Sequence, residues 1–254
     1  MVLRVLKRVA QGVAAAAVVG AAAFSVWWFT PGRDMADWTR GAPPRRWASW
    51  LRQQELWHAE QLNRSPEHDY RPLAAIGPEL PLAVLVSEDI GFLDHGAVDV
   101  RAVGEALEEW AHGARLRGAS TISQQLARIL FLSPERSLAR KLNEVRLAWW
   151  LEHRLGKRRI LELYLNTVEF GPGLFGAQAA ARHYFGLDAG ALDDAQAAGM
   201  AAAIPSPGRD NPFTATARWR LRRDVILRRM ANATQLRTRL VGLVSGPGAA
   251  AAER

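Results

Sequence analysis

Apolar positions along the chain follow two patterns, one continuous run near the start and helical spacings after it. From Val13 to Phe29 no charge interrupts a stretch rich in Ala and Val that closes on Trp27, Trp28 and Phe29. Counted from Ala10, with Gln11 as an early polar interruption, the run reaches the roughly 20 residues that cross a bilayer as a helix. Arg4, Lys7 and Arg8 precede it, which favours a cytoplasmic N-terminus, and the Trp pair suits an interfacial belt. The expectation is a basic cytoplasmic segment over 1–9 and a single, uncleaved transmembrane anchor over 10–29. Two other readings stay open: a cleaved signal peptide processed at Ala21-Ala22-Ala23, and an Ala-rich helix buried in a soluble protein. Either of the first two exports the remainder of the chain.

Residues 30–46 are rich in Pro, Gly and Arg and predict a linker. Trp47, Trp50, Leu51 and Trp57 then recur at largely helical spacing among Arg45, Arg46 and Arg52, so 30–70 is read as linker plus a Trp-rich segment. Such indoles either lie on an anionic bilayer or pack onto a core, and the pattern does not choose between the two. From Pro72 to Val86 the chain is apolar and punctuated by Gly77, Pro78 and Pro81, which excludes a long helix before the second proline.

An amphipathic helix is expected over 98–112, with Val100, Val103, Leu107 and Trp110 on one side, followed by a basic loop over 113–119. Thr121 and Gln124 fit a capping box that opens a helix running to about Leu132. Ser133 and Pro134 read as N-cap and first position of the next helix, with Gly156 as its stop. Within it Leu138, Leu142, Val145 and Trp149 form an apolar stripe, while Arg140, Lys141 and Glu144 share a different face. A helix over 157–168 and several Ala-rich ones after Phe175 complete a mainly α domain over 71–244. Strand signals are weak, and the GPGAAAAER tail over 245–254 reads as disordered.

The 254 residues, 49% of them hydrophobic, suffice for one core-bearing domain and an anchor. The absence of cysteine excludes disulfides, thiolate metal sites and cysteine nucleophiles. A formal charge of +8 calls for an acidic partner, whether nucleic acid, anionic lipid or phosphate. Nucleic acid is disfavoured, because no aromatic-basic recognition signature or zinc-finger spacing is present.

Glu88 follows the apolar run Leu82–Val86 and precedes Phe92. Partial desolvation there would raise its pKa and suit a general base working near neutral pH, against the plainer reading that Glu88-Asp89 caps the next element. His95 has no second histidine at metal-ligand spacing and is read as structural before catalytic. Arg128, Arg136, Arg140 and Lys141 gather cationic donors whose geometry matches phosphate oxygens; the alternative is a solvated face paired with Glu135 and Glu144.

Taken in order, Glu88-Asp89-x-x-Phe92-x-x-His95, GASTISQQLAR, FLSPERSLARKLNE, KRRILELYLN and FGPGLFGAQAAARHYFG resemble the motifs of the peptidoglycan glycosyltransferase family, from about Pro72 to Met230. The monofunctional biosynthetic branch is the nearest in form, and the Ser-x-x-Lys and Lys-Thr-Gly motifs of a transpeptidase are absent from these residues, so no cross-linking is expected. The resemblance implies a lysozyme-like, mainly helical fold with a small membrane-embedded part between the two glutamates. It implies polymerisation of lipid II into β-1,4-linked glycan with release of undecaprenyl pyrophosphate, at the outer face of a bacterial cytoplasmic membrane.

By the same resemblance, Glu88 is the catalytic base and Glu144 the second catalytic glutamate. Thr121, Gln125, Arg128, Arg140 and Lys141 fall at the donor site, and Asp89, Phe92 and His95 shape the catalytic end. No obligatory cofactor is implied, although Mg or Mn beside Glu144 is a candidate. Partners implied are lipid II, the growing glycan, membrane lipids and other cell-wall synthesis and division proteins. Three positions depart from the family's habit: Arg128 where Lys is usual, Ala97 where Gly is common, and Ile129 where Asn is frequent. A lipid II-binding scaffold without activity and a glycan-cleaving enzyme are the competing functions.

Overall fold

The computed structural model describes residues 17–30, 38, 44, 47–62, 67–113, 120–133, 135 and 137–245. They fall into two units, Met1–Met35 and Ala36–Arg254. In the first, α1 is helical over residues 17–29. No helix among the described residues is long and apolar enough to cross a membrane. Residues 10–16 of the expected anchor lie outside the described residues, as do the 1–9 segment, most of the 30–46 linker, the basic loop beyond Gly113 and the tail beyond Ser245.

The second unit is mainly helical and built around α4 (Glu79–Glu88), in which every residue from Leu80 to Val86 is buried. A helix that is apolar on all sides must be surrounded. Here α10 (Asp194–Ala203), α11 (Ala217–Asn232) and α12 (Thr234–Ser245) enclose it. Pro81 is tolerated because it stands in the first turn, where a backbone N–H has no intrahelical acceptor. Alanines make α10 slim enough for close approach, and its Gly199 carbonyl accepts from the Trp219 indole at 2.9 Å.

A second group packs α6 (Ile122–Phe131) on α7 (Leu138–Arg154) and α8 (Lys157–Thr167). A small sheet of β1 (Glu67–His68), β2 (Glu169–Gly171) and β3 (Leu174–Phe175), in the order β1-β3-β2, leads into α9 (Ala177–Phe185). Gly176 makes that turn at φ 84°, and a Cβ there would stand 2.7 Å from the Asn166 carbonyl. Glycine alone fits such an approach. Further short helices are α3 (Leu73–Ile76) and α5 (Val100–Ala111), whose Val100 is exposed while the side chains of Leu107 and Trp110 lie outside what is described.

The structure corrects several local expectations. Thr121 does cap α6, accepting from the Gln124 amide at 3.2 Å. The Gln124 side chain, however, accepts from Lys141 Nζ, so the reciprocal half of the box is diverted to the neighbouring helix. Helix α7 is capped by Ser137, whose hydroxyl accepts from the Arg140 amide at 3.0 Å, rather than opened at Ser133-Pro134; Pro134 lies outside the described residues. The apolar stripe of α7 divides: Leu138 is 88% and Leu142 58% exposed, whereas the buried face runs through Glu144, Leu147, Ala148 and Leu151. Glu144 therefore leads the core-facing side of its helix.

The Trp-rich helix α2 (Trp47–Leu62) is a core element over its first turns. Trp47 lies 4.9 Å from Tyr70 and 5.1 Å from Trp50, and Trp50 meets Phe175 edge-on. The Trp50 indole donates to the Ile129 carbonyl of α6 at 3.1 Å. Trp38, also buried, stands edge-on to Phe131. The side chain of Trp57 lies outside what is described. Replacing a buried aromatic by Ala costs roughly 3–5 kcal/mol. Trp50→Ala should lower the thermal midpoint accordingly and Trp50→Phe much less, as circular dichroism would read; equal midpoints for wild type and Trp50→Ala would contradict this packing.

Candidate active site

Helix α4 delivers two adjacent carboxylates to its C-terminal end, where the helix dipole is negative and carbonyls lack intrahelical donors. Cationic donors from α11 answer both needs. Arg229 Nη1 donates to the Val86 carbonyl at 3.1 Å, and Arg222 Nη2 donates to Glu88 Oε1 at 2.7 Å and to Ser87 Oγ at 2.9 Å. Gln125 Nε2 reaches Glu88 Oε2 at 3.2 Å, and the Tyr164 hydroxyl donates to Gln125 Oε1 at 2.9 Å. Burial first, then the Glu88 charge, pushes the Tyr164 phenol well above its ordinary pKa, so it stays a donor.

The Glu88 side chain is only 13% exposed, yet its partners are a guanidinium and an amide. The apolar wall expected around it is replaced by these polar groups. Beyond Arg222 a cleft of about 280 Å³ opens between α4 and α11, lined in part by Ser87, Arg218, Trp219 and Leu221.

Asp89 turns the other way. Its Oδ2 accepts the Ile122 amide at 2.9 Å, a carboxylate at the positive end of α6, and its Oδ1 meets His95 Nε2 at 2.6 Å. Asp89 therefore serves the first amide of α6, whose N-cap is Thr121, while α5, the next helix in the chain, has Asp99 at its start, and Glu88 takes neither place. The other imidazole nitrogen, Nδ1, faces the Gly96 carbonyl at 2.7 Å. Both ring nitrogens thus point at acceptors, the setting of an imidazolium. Desolvation opposes the charge, but the hydrogen bonds to Asp89 and Gly96 and the Asp89 charge outweigh it, and the His95 pKa is raised. Lys157 Nζ donates to the His95 carbonyl at 2.6 Å, is paired with Glu152, and stands 4.4 Å over the buried Phe92 ring. His95 and Phe92 are held as struts.

A third cluster lies across α6 and α7. Lys141 Nζ donates to Glu144 Oε1, to Ser120 Oγ at 2.9 Å and to Gln124 Oε1 at 3.2 Å. Arg140 Nη1 stands 3.5 Å from Glu144 Oε2, and its buried Nε makes no hydrogen bond. A buried unmet donor costs about 1–3 kcal/mol, which an arriving anion can offset. Thr121 donates to the Ala97 carbonyl at 2.8 Å, so its hydroxyl joins the start of α6 to the segment after His95. Arg128 is exposed on α6, one turn beyond Gln125, and its charge acts on Tyr164.

Both Glu144 oxygens already face cations, and among the described residues no three His, Asp or Glu side chains gather to hold a metal ion. Among the described residues, Glu144 thus belongs to no three-ligand protein site for a divalent ion.

The structure thus brings Glu88 and Gln125 together, sets Asp89, His95 and Phe92 behind them, and joins Arg140, Lys141 and Glu144 through Gln124 and Ser120 to the same helix. Sequence reasoning missed Arg222 and Tyr164. Arg222 stands three residues after buried Trp219 and four before buried Ile226, so an arginine on the apolar face of α11 was the available signal. Tyr164 lies within the fully buried stretch of α8, where its hydroxyl needs a partner.

The sequence model of a protein family described as Transglycosylase matches residues 54–231. The biosynthetic peptidoglycan transglycosylase of Cupriavidus pinatubonensis is 40% identical over 225 residues, covering 85% of this chain and 87% of that protein. The protein of the same name from a Marinomonas species is 46% identical over 164 residues, 65% of this chain and 73% of its own length. That of Aeromonas hydrophila is 49% identical over 143 residues, 56% of this chain and 61% of its own.

The raised His95 pKa has a consequence for stability. A group that binds its proton more tightly when folded contributes fully below its unfolded value and loses that contribution as pH rises through the folded value. Thermal midpoints should therefore decline in wild type as pH rises from 6.5 upward and decline less in His95→Gln. Parallel curves for the two proteins would show that the imidazolium is not the titrating strut.

Proposed function

The chain belongs to the transglycosylase family of peptidoglycan glycosyltransferases, and on that premise we propose that it polymerises lipid II into β-1,4-linked glycan strands, releasing undecaprenyl pyrophosphate without cross-linking them. The observation that carries this reading is the pairing of a half-buried, ion-paired carboxylate at the end of α4 with the cationic cluster of α6 and α7. Glu88 takes the proton from the 4-hydroxyl of the acceptor GlcNAc. That oxygen attacks C1 of the donor MurNAc as the C1–O bond to pyrophosphate breaks, and C1 inverts.

No second carboxylate is needed to activate water, since the nucleophile is the sugar hydroxyl itself. The leaving pyrophosphate needs positive charge at its oxygens. Arg140, Lys141 and the exposed Arg128 supply it, with Glu144 holding the first two in place. The unmet Nε of Arg140 is a donor an arriving phosphate satisfies. Arg128 presents a fork where a lysine would present a point charge, which favours a bidentate grip. Absence of Ser-x-x-Lys and Lys-Thr-Gly from these residues supports polymerisation without transpeptidation.

The same reading takes the fold as lysozyme-like and residues 10–29 as a single-pass anchor in the cytoplasmic membrane, with the catalytic domain on its outer side. The uncharged run behind Arg4, Lys7 and Arg8 supports the anchor and its orientation. Exposed Leu138 and Leu142, between the two glutamates in sequence, support a second contact with the bilayer.

Purified protein incubated with labelled lipid II should yield glycan ladders on gels, and Glu88→Gln should lower the rate by at least about 100-fold while still binding lipid II. Ladders of equal intensity from Glu88→Gln would remove Glu88 from the mechanism; binding without ladders from wild type would favour the scaffold. For the bilayer contact, Leu138→Glu with Leu142→Glu should weaken co-sedimentation of a chain lacking residues 1–35 with lipid vesicles, and unchanged co-sedimentation would dismiss that contact.

A further inference from the structure

Glu88 is held at both carboxylate oxygens, and the two holds differ. Oε1 accepts a charge-assisted bond from Arg222 at 2.7 Å and a second from Ser87 Oγ at 3.1 Å. Oε2 accepts a longer bond from an uncharged donor, the Gln125 amide, at 3.2 Å. We propose that Arg222 and Tyr164 are positioning residues for the reaction: Arg222 fixes Oε1 of Glu88, Tyr164 turns the Gln125 amide onto Oε2, and Oε2 is the oxygen that takes the acceptor's proton. The proposal rests on reading Glu88 as the base.

The physical case is one of orientation. The last torsion of a glutamate is broad and roughly two-fold, so nothing within the side chain itself aims a lone pair. A general base must offer that lone pair within about 2.6–3.2 Å of the hydroxyl it deprotonates. The guanidinium bond, charged on both sides and the shorter of the two, sets the carboxylate plane and occupies Oε1. Oε2, carrying one long amide bond, keeps a lone pair for the substrate.

An amide is nearly symmetric in shape and could turn its oxygen toward Glu88, where it would repel the carboxylate. Tyr164 opposes this turn: its hydroxyl, kept protonated by burial, donates to Gln125 Oε1 at 2.9 Å and leaves Nε2 facing Glu88. Helix α11 holds Arg222 in register. Arg229 docks the helix to the Val86 carbonyl two turns on, and Asp210 accepts from the Thr216 hydroxyl at 2.8 Å at its N-cap. The proton passes from the 4-hydroxyl to Oε2 as its oxygen bonds C1 and the pyrophosphate leaves, so no further reactant is required.

The test is steady-state polymerisation of lipid II by wild type, Arg222→Ala, Arg222→Lys and Tyr164→Phe, each checked for folding by circular dichroism. Misplacing a reacting group by about 1 Å costs on the order of 100-fold. Arg222→Ala should lose roughly 10- to 100-fold in kcat with KM for lipid II within about 2-fold of wild type, the signature of a group acting at the transition state. Arg222→Lys should recover part of the loss, and guanidinium added below denaturing concentration should recover part of it in Arg222→Ala alone. Tyr164→Phe should lower kcat in the same sense and respond to no additive.

A folded Arg222→Ala enzyme with full kcat, or one with raised KM and unchanged kcat, overturns the proposal and leaves the transferase reading standing. Wild type that binds lipid II and makes no glycan overturns both. Should Arg222→Ala fail to fold, Arg222→Lys and Arg222→Gln carry the comparison, a kcat for Gln no lower than for Lys counting against it.

Discussion

An α-helix carries roughly half a negative charge at its C-terminus, and α4 adds Glu88 and Asp89 to that end while burying Leu80 to Val86 behind them. Water cannot hydrate this charge from the helix side, so the protein must. It does so from three directions: the arginines of α11, the amide of Ile122 at the head of α6, and the imidazole of His95. Each donor also fixes the element that brings it. The apolar α4 thereby organises the helices around it twice, through its hydrophobic surface and through the charge at its tip.

The site divides along α6. Its first turn is tied to the end of α4 by Asp89 and to the segment after His95 by the Thr121 hydroxyl, and its Gln125 reaches Glu88. Its Gln124 instead accepts from Lys141, the cation that also neutralises Glu144. Adjacent glutamines on one helix thus reach Glu88 on one side and the Lys141–Glu144 pair on the other. Separation of the two halves is therefore set by the backbone of α6, not by the reach of flexible side chains.

Much of this was legible in the sequence where a residue's role depends on its neighbours along one helix. The Arg140, Lys141 and Glu144 group, the Thr121 cap and the length of α8 all follow from spacings of three and four. Where partners lie far apart in sequence, spacing carries little. Arg222 meets Glu88 across 134 residues, and Tyr164 meets Gln125 across 39. The α7 stripe misled for a related reason: apolar residues occupied two faces, and only the tertiary contact with α6 decided which one was buried. The Trp-rich segment posed the same question, and Tyr70, Phe131, Phe175 and the Ile129 carbonyl answered it.

The bond from Trp50 to Ile129 engages a backbone carbonyl. Any residue except one that distorts the helix presents that carbonyl, so the tie between α2 and α6 survives a change of side chain at 129. Keeping the tie therefore asks for an N–H donor at 50 and for nothing of the side chain at 129. An isoleucine at 129 therefore costs this bond nothing, because the atom it lends is one every residue has.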